Sequence, residues 1–279
     1  MTQRSSPLIQ SVGVGLRSEH VQHVLTNQPN IPWFELLIDN WMVPGGLLCA
    51  QFEAIVDSYP VTFHGVSLSL GGSHEIDFNY LKQIKELKKT AGAAWYSEHV
   101  AFTRHNGIEF HDLFPLPGTD ESVQHLASRI REVQDYLGEQ ILIENVSSYI
   151  RFDESYLSEG EFLAELSACA DCLLLVDINN FYINQFNHGM DAMTEMKKLP
   201  ATRITELHLA GAKEIDGFIV DTHSHPVQDE VWELYQEMLS VWGPKPTLIE
   251  WDNNIPTWEI LYGEYLKAAT LCKQSVKNR

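Results

Sequence analysis

Seven times along this chain a short, strand-like apolar stretch is tied to a histidine or a carboxylate: Phe63-His64, Ser97-Glu98-His99, Ile143-Glu144-Asn145, Val176-Asp177-Ile178-Asn179-Asn180, Leu207-His208, Asp221-Thr222-His223 and Ile249-Glu250-Trp251-Asp252. One such residue at the end of a buried strand is ordinary, a hydrogen-bonded core histidine or a helix-capping carboxylate. The same device on strand after strand demands a fold that gathers many strand ends at one point.

Eight apolar, β-rich runs are readable, at 11–15, 33–38, 61–66, 94–102, 140–146, 173–178, 204–209 and 246–251. Helical periodicity fills the spaces between them. Residues 76–91 place Ile76, Tyr80, Ile84 and Leu87 on one face, and 119–137 opens on Thr119-Asp120-Glu121-Ser122 and stops at Leu137-Gly138. Residues 158–169 and 229–242 behave alike. Strands alternating with helices imply parallel strands joined by right-handed crossovers. Eight such units in 279 residues predict one α/β domain over 1–279, a closed (β/α)8 TIM barrel, a fold that takes about 250 residues. Two connections are long, 103–118 with Arg104, His105 and His111, and 210–228 with Asp221, His223 and His225. Both read as loops over the C-terminal face, where such barrels carry their sites. His20, His23 and His125 fall in helices and read as surface residues.

Charge and composition narrow the chemistry. A formal charge of −19, from 38 acidic and 19 basic residues, disfavours binding to a phosphate backbone, which needs a basic footprint. No nucleic-acid partner is expected. No stretch approaches the ~20 apolar residues of a membrane span, and Met1–Pro7 lacks the apolar run of a signal peptide. A cytoplasmic location without a membrane partner is the expectation. Of the four cysteines, Cys169 and Cys172 form a CxxC where a helix runs into a strand, opposite in sense to a thioredoxin motif. Reduced, mostly buried thiols are expected.

The donors that remain are imidazoles from His64, His99, His208 and His223, carboxylates from Glu144, Asp177, Asp221 and Glu250, and the amide oxygen of Asn180. Four clustered carboxylates repel one another unless cations sit between them. The set exceeds one tetrahedral site and suffices for two or three metals with positions left open. No cysteine belongs to it, which disfavours a structural zinc ribbon. Nitrogen and oxygen donors suit iron, manganese or zinc, and the sequence does not choose among them.

Taken in order, these motifs, together with Gly65-Val66-Ser67, Asp112-Leu113-Phe114-Pro115-Leu116-Pro117 and Leu209-Ala210-Gly211, resemble the MbnB/TglH-type family over about residues 10–265. The resemblance implies a barrel of the xylose-isomerase and endonuclease-IV kind holding two or three iron ions. It implies an oxidase that uses oxygen to modify cysteines of a ribosomally made precursor peptide, often beside a small leader-binding partner protein. Carried over by position, His64, His99 and Glu144 hold one metal. Glu144, Asp177, His208 and Glu250 hold a second, and Asn180, Asp221 and His223 a third. Asp252 lies on the same strand side as Glu250 and is the candidate proton acceptor. Three rivals stand beside this reading: a hydrolase of abasic DNA, a sugar isomerase using a base such as Lys213, and a metal-binding protein without catalysis.

Overall fold

A computed structural model describes residues 11–277 of the chain; the Met1–Pro7 stretch weighed above lies outside them. Its strands, in chain order, are β1 (Val12–Gly15), β2 (Phe34–Leu37), β3 (Val61–His64), β4 (Tyr96–His99), β5 (Phe102–His105), β6 (Ile108–Phe114), β7 (Leu142–Glu144), β8 (Leu173–Asp177), β9 (Ile204–Leu209), β10 (Lys213–Ile215), β11 (Phe218–Val220) and β12 (Thr247–Ile249). Eight close a barrel in the order β1-β12-β9-β8-β7-β4-β3-β2, with parallel pairing throughout. They are the eight runs legible in the sequence. Helices follow at the expected places, among them Phe78–Ala91, Asp120–Leu137, Glu159–Ala170 and Asp229–Trp242. Thr119 caps the second of these by accepting from the Ser122 amide at 3.2 Å, and Ser158 with Glu161 forms a capping box on the third. No helix among the described residues is long and apolar enough to cross a membrane.

Side chains alternate along each strand, so one set fills the barrel and the other packs under the helices. Outward residues such as Val12, Val14, Phe34, Leu36, Val61 and Phe63 join the main hydrophobic core. Inside, Trp33 packs with Leu248, Ala94 and Trp95 and closes the N-terminal end. Gly13 is what lets it sit there, because a Cβ at that position would lie 2.4 Å from the indole. Above this plug come Glu35, Thr62 and Glu206, and one step further along the strands come His64, His99, Glu144, Asp177, His208 and Glu250. Register brings donors side by side: His99 pairs with Glu144, and Asp177 with His208.

The two long connections depart from expectation. Each contains an antiparallel hairpin, β5–β6 and β10–β11, where loops were predicted. The turns are Asn106-Gly107, with φ of +49° and +75°, and Asp216-Gly217, with φ of +51° and +86°. Two successive left-handed residues at Asn-Gly and Asp-Gly are the hairpin signal of a type I′ turn. A second correction concerns His20, which is buried, not exposed; its Nε2 contacts the Pro256 carbonyl at 2.9 Å. All four cysteines are free, with Cys172 and Cys272 buried.

Candidate metal centre

Glu144 stands at the middle of the barrel mouth. Its Oε2 lies 3.3 Å from His64 Nε2 and 3.1 Å from His99 Nε2, while its Oε1 lies 3.4 Å from His208 Nδ1. His208 Nδ1 is also 3.0 Å from Glu250 Oε2. Two compact donor groups result, His64–His99–Glu144 and Glu144–Asp177–His208–Glu250, every member buried. Donors about 2.1 Å from a common ion stand roughly 3.0–3.4 Å apart, and these separations match. Although several of the atoms face an opposite charge, Glu144 Oε2, Asp177 Oδ2 and both nitrogens of His208 are buried without a well-aligned hydrogen bond. Buried polar atoms are seldom left so. The donor set therefore fits cations, with one carboxylate oxygen of Glu144 turned to each group.

His223 brings a third set together, though not wholly the one expected. Its Nε2 lies 2.7 Å from Asp221 Oδ1 and 3.9 Å from Asp177 Oδ2. Its Nδ1 faces Asp252 Oδ2 at 3.2 Å and Glu250 Oε2 at 3.5 Å, so Asp252 joins His223 and Glu250 as a possible donor group. Asn180 gives its amide N–H to the Asn145 carbonyl at 3.0 Å and keeps a buried Oδ1 without a partner, facing the same cavity as Asp221 and His223. Asn145 clamps the next strand, accepting from the Asp177 amide at 2.9 Å and donating to the Asp177 carbonyl at 3.1 Å.

Two residues that carry this arrangement, Arg17 and Glu206, escaped the sequence reading, and a third, Glu35, reads there only as a residue near the site without a spacing that demands coordination. Arg17, just past β1, donates to Asp252 through Nε at 2.8 Å and again through NH2, and reaches Glu250 Oε1 at 3.1 Å. Glu206 lies beneath His208 and is fully buried, as is Glu35, which the sequence left unassigned. A signal existed. Thr62, Ser97 and Glu206 each precede a site histidine by two, the period that puts both side chains on one strand face. Arg17 continues the Gly13, Gly15 phase by the same rule. His105 is exposed on β5, and neither it nor His225 lines the cavity, whereas His111 does.

Electrostatics follow from burial. Desolvation pushes His64 down to about 3. It opposes charge on His99 as well, yet Glu144 overcomes it and lifts that imidazole to about 9. His208 and His223 are likewise raised well above their ordinary value against burial, by Glu35 with Glu144 and by Asp221 with Glu250. Burial also opposes the Glu250 carboxylate, and so does Asp252, but His223 and His208 hold it at about 2. At neutral pH the metal-free centre thus stores protons on imidazoles. A metal must displace them, so binding should release protons and weaken as pH falls, by about tenfold per pH unit for each proton released. Zinc titration calorimetry in two buffers of different ionisation heat checks this; a heat independent of buffer would contradict it.

The centre floors a cavity of about 580 Å³ whose wall includes Thr103, Arg104 and Glu109–Leu113 of the β5–β6 hairpin, together with Ser147, Tyr149 and Asn253. Among the described residues, no cysteine and no lysine lines it. Lys213, the base considered for a sugar isomerase, is exposed on β10.

Comparison with known proteins agrees with this architecture. The family model described as RiPP precursor modification enzyme MbnB/TglH/ChrH matches residues 11–273. A UPF0276 protein of Acaryochloris marina is 48% identical over 271 residues, covering 97% of this chain and 98% of that one. Among solved structures, an L-ribulose 3-epimerase superposes with a TM-score of 0.63 at 13% identity, covering 97% of each chain. Endonuclease IV from Thermus thermophilus superposes at 0.59 and 13% identity, covering 96% of this chain and all of that one. At such identities these two structures speak for the TIM-barrel fold alone.

Proposed function

The chain belongs to the MbnB/TglH/ChrH family of RiPP precursor modification enzymes, and from that premise we propose that it is an iron-dependent oxidase acting on a cysteine of a precursor peptide. The observation that carries the reading is the set of buried nitrogen and oxygen donors, several without a well-aligned hydrogen bond, opening on a cavity whose described lining holds no thiol. A soft thiolate ligand is absent from the protein's own set and is supplied by the substrate.

His64, His99 and Glu144 would hold one ion, and Glu144, Asp177, His208 and Glu250 a second. Asn180, Asp221 and His223 would hold a third; a neutral amide is a poorer ligand than imidazole, so this position binds most weakly. Iron held by these donors would supply one-electron redox chemistry; manganese could do the same, whereas zinc, which fits the same donors, is redox-inert. Asp252, at the cavity wall, accepts a proton from the cysteine thiol or its β-carbon. Arg17 holds the carboxylate in place and keeps it ionised. The β5–β6 hairpin walls the cavity and excludes solvent around a peptide side chain. A small leader-binding partner protein completes the system.

The test is oxygen consumption and a mass change in a cysteine-bearing peptide encoded beside the gene, with protein purified without oxygen from iron-supplied cells. Iron-loaded protein that consumes no oxygen with that peptide would sink the proposal. The rival hydrolase of abasic DNA predicts the opposite affinity. With Arg104 the one arginine lining the cavity among the described residues, beside Glu109, Asp112, Asp221 and Asp252, duplex DNA should not bind measurably at physiological salt, since backbone binding depends on released counterions. Salt-dependent binding or cleavage of an abasic duplex by metal-loaded protein would overturn the oxidase reading.

A further inference from the structure

His64 and His99 each offer one ring nitrogen to a carboxylate of the centre and turn the other away from it. His64 turns Nδ1 to Ser97 Oγ at 2.7 Å, and His99 turns Nδ1 to the Gly65 carbonyl at 3.1 Å. Both therefore present Nε2 to Glu144. His208 is reversed: Nδ1 faces Glu144 and Glu250, and Nε2 points back into the barrel. There it meets two carboxylates, Glu35 Oε1 at 3.5 Å and Glu206 Oε1 at 3.8 Å. All three side chains are at most 1% exposed, and none of these three atoms has a hydrogen-bond partner. The far oxygens are already engaged, Glu206 Oε2 by the Trp95 indole N–H and Glu35 Oε2 by Thr62 Oγ1.

We infer that Glu35 and Glu206 are positioning residues for metal binding, their carboxylates flanking Nε2 of His208 and drawing its proton there, which fixes the tautomer whose Nδ1 lone pair faces the centre. A neutral imidazole carries one N–H. Were it on Nδ1, it would point at the metal position and block it. With two acidic acceptors below and none of comparable strength free of the metal above, the proton stays on Nε2. A carboxylate behind a ligating histidine also raises the basicity of the ligand nitrogen. The inference rests on His208 holding an ion, not on the peptide chemistry. The same three atoms lie close enough to surround an ion of their own, in which case His208 would bridge two ions with both nitrogens deprotonated.

Zinc alone, without peptide or oxygen, tests this independently of the oxidase reading. Nitrogen-15 spectra of the zinc-loaded parent should show His208 protonated at Nε2 and metal-bound at Nδ1. In the Glu35→Gln/Glu206→Gln double variant, chelator competition should show one ion held about 10–100-fold more weakly, with full stoichiometry still reached at saturating zinc. The thermal midpoint of the metal-free variant should not fall. Parental zinc affinity in the double variant, or a fall in stability without a change in affinity, would overturn the role. So would loss of one ion at saturation, or a His208 lacking its Nε2 proton in the parent, either of which assigns the pair to an ion of its own.

Discussion

Glu144→Ala should empty two metal positions at once. One oxygen of Glu144 faces His64 and His99 and the other faces His208, so a single truncation removes a donor from both groups. The imidazoles left behind, with His99 already lifted to about 9 by that carboxylate, lose the charge that holds them near a cation. Metal analysis of protein loaded with iron without oxygen should show a loss of two ions per chain relative to the parent. Bound metal contributes several kcal/mol to such chemistry, and each 1.4 kcal/mol is about tenfold, so turnover should fall at least about 10²-fold. Circular dichroism should show the barrel intact, because the strand carrying Glu144 keeps its pairing through Leu142 and Ile143. Loss of only one ion would refute the bridging role.

Asp252→Asn is expected to separate chemistry from metal retention. Burial works against charge on Asp252, but Arg17 first and His223 next overcome it and hold the carboxylate far below its ordinary range. The carboxylate is thus ionised at neutral pH, and the same pairing makes it a weaker base, so the proton it takes must come from a substrate group acidified in the site. An amide keeps the shape and the contact with Arg17 but cannot take a proton at neutral pH. Iron content should match the parent while oxygen consumption with a cysteine peptide falls about 10²–10⁴-fold, the usual worth of a general base. Two other results are informative. A fall in iron would place Asp252 with His223 and Glu250 as a ligand. Full iron with near-parental turnover would leave it a loop anchor, a role its backbone N–H already plays toward the His223 carbonyl at 2.8 Å. If Asp252 proved dispensable, the base would have to be sought among the other titratable groups of the wall, such as His111, because Glu35, His105 and His225 do not line the cavity.

The barrel was legible because its signal is periodic. Each buried parallel strand reads as a short apolar run, and all eight were found where β1, β2, β3, β4, β7, β8, β9 and β12 lie. Nine donors were placed by the same logic, and the structure gathers their side chains at one mouth. What escaped did so for physical reasons. The hairpins β5–β6 and β10–β11 are largely exposed or half-buried, and their one wholly apolar strand, Phe218-Ile219-Val220, is only three residues long, so Asn106-Gly107 and Asp216-Gly217 are the clearest signals of them. Arg17 was missed because a search for anionic and imidazole donors passes over the cation that restrains them. Glu206 sits one strand step below the ligands, where a carboxylate looks out of place until the ring nitrogen above it is considered.

The two ribbons have a consequence for how this architecture diversifies. Barrel strands supply the donors of the two central groups, with Glu250 immediately after β12, whereas much of the wall that meets a guest molecule belongs to β5–β6, an excursion that pairs only with itself. Sequence change there is decoupled from the packing that keeps the donors in register, since sites without shared neighbours act nearly independently. Exchanging residues 102–114 between relatives should therefore transplant the choice of guest and leave the reactive floor as it was. Such a scaffold lets a lineage try new clients with little danger to its chemistry.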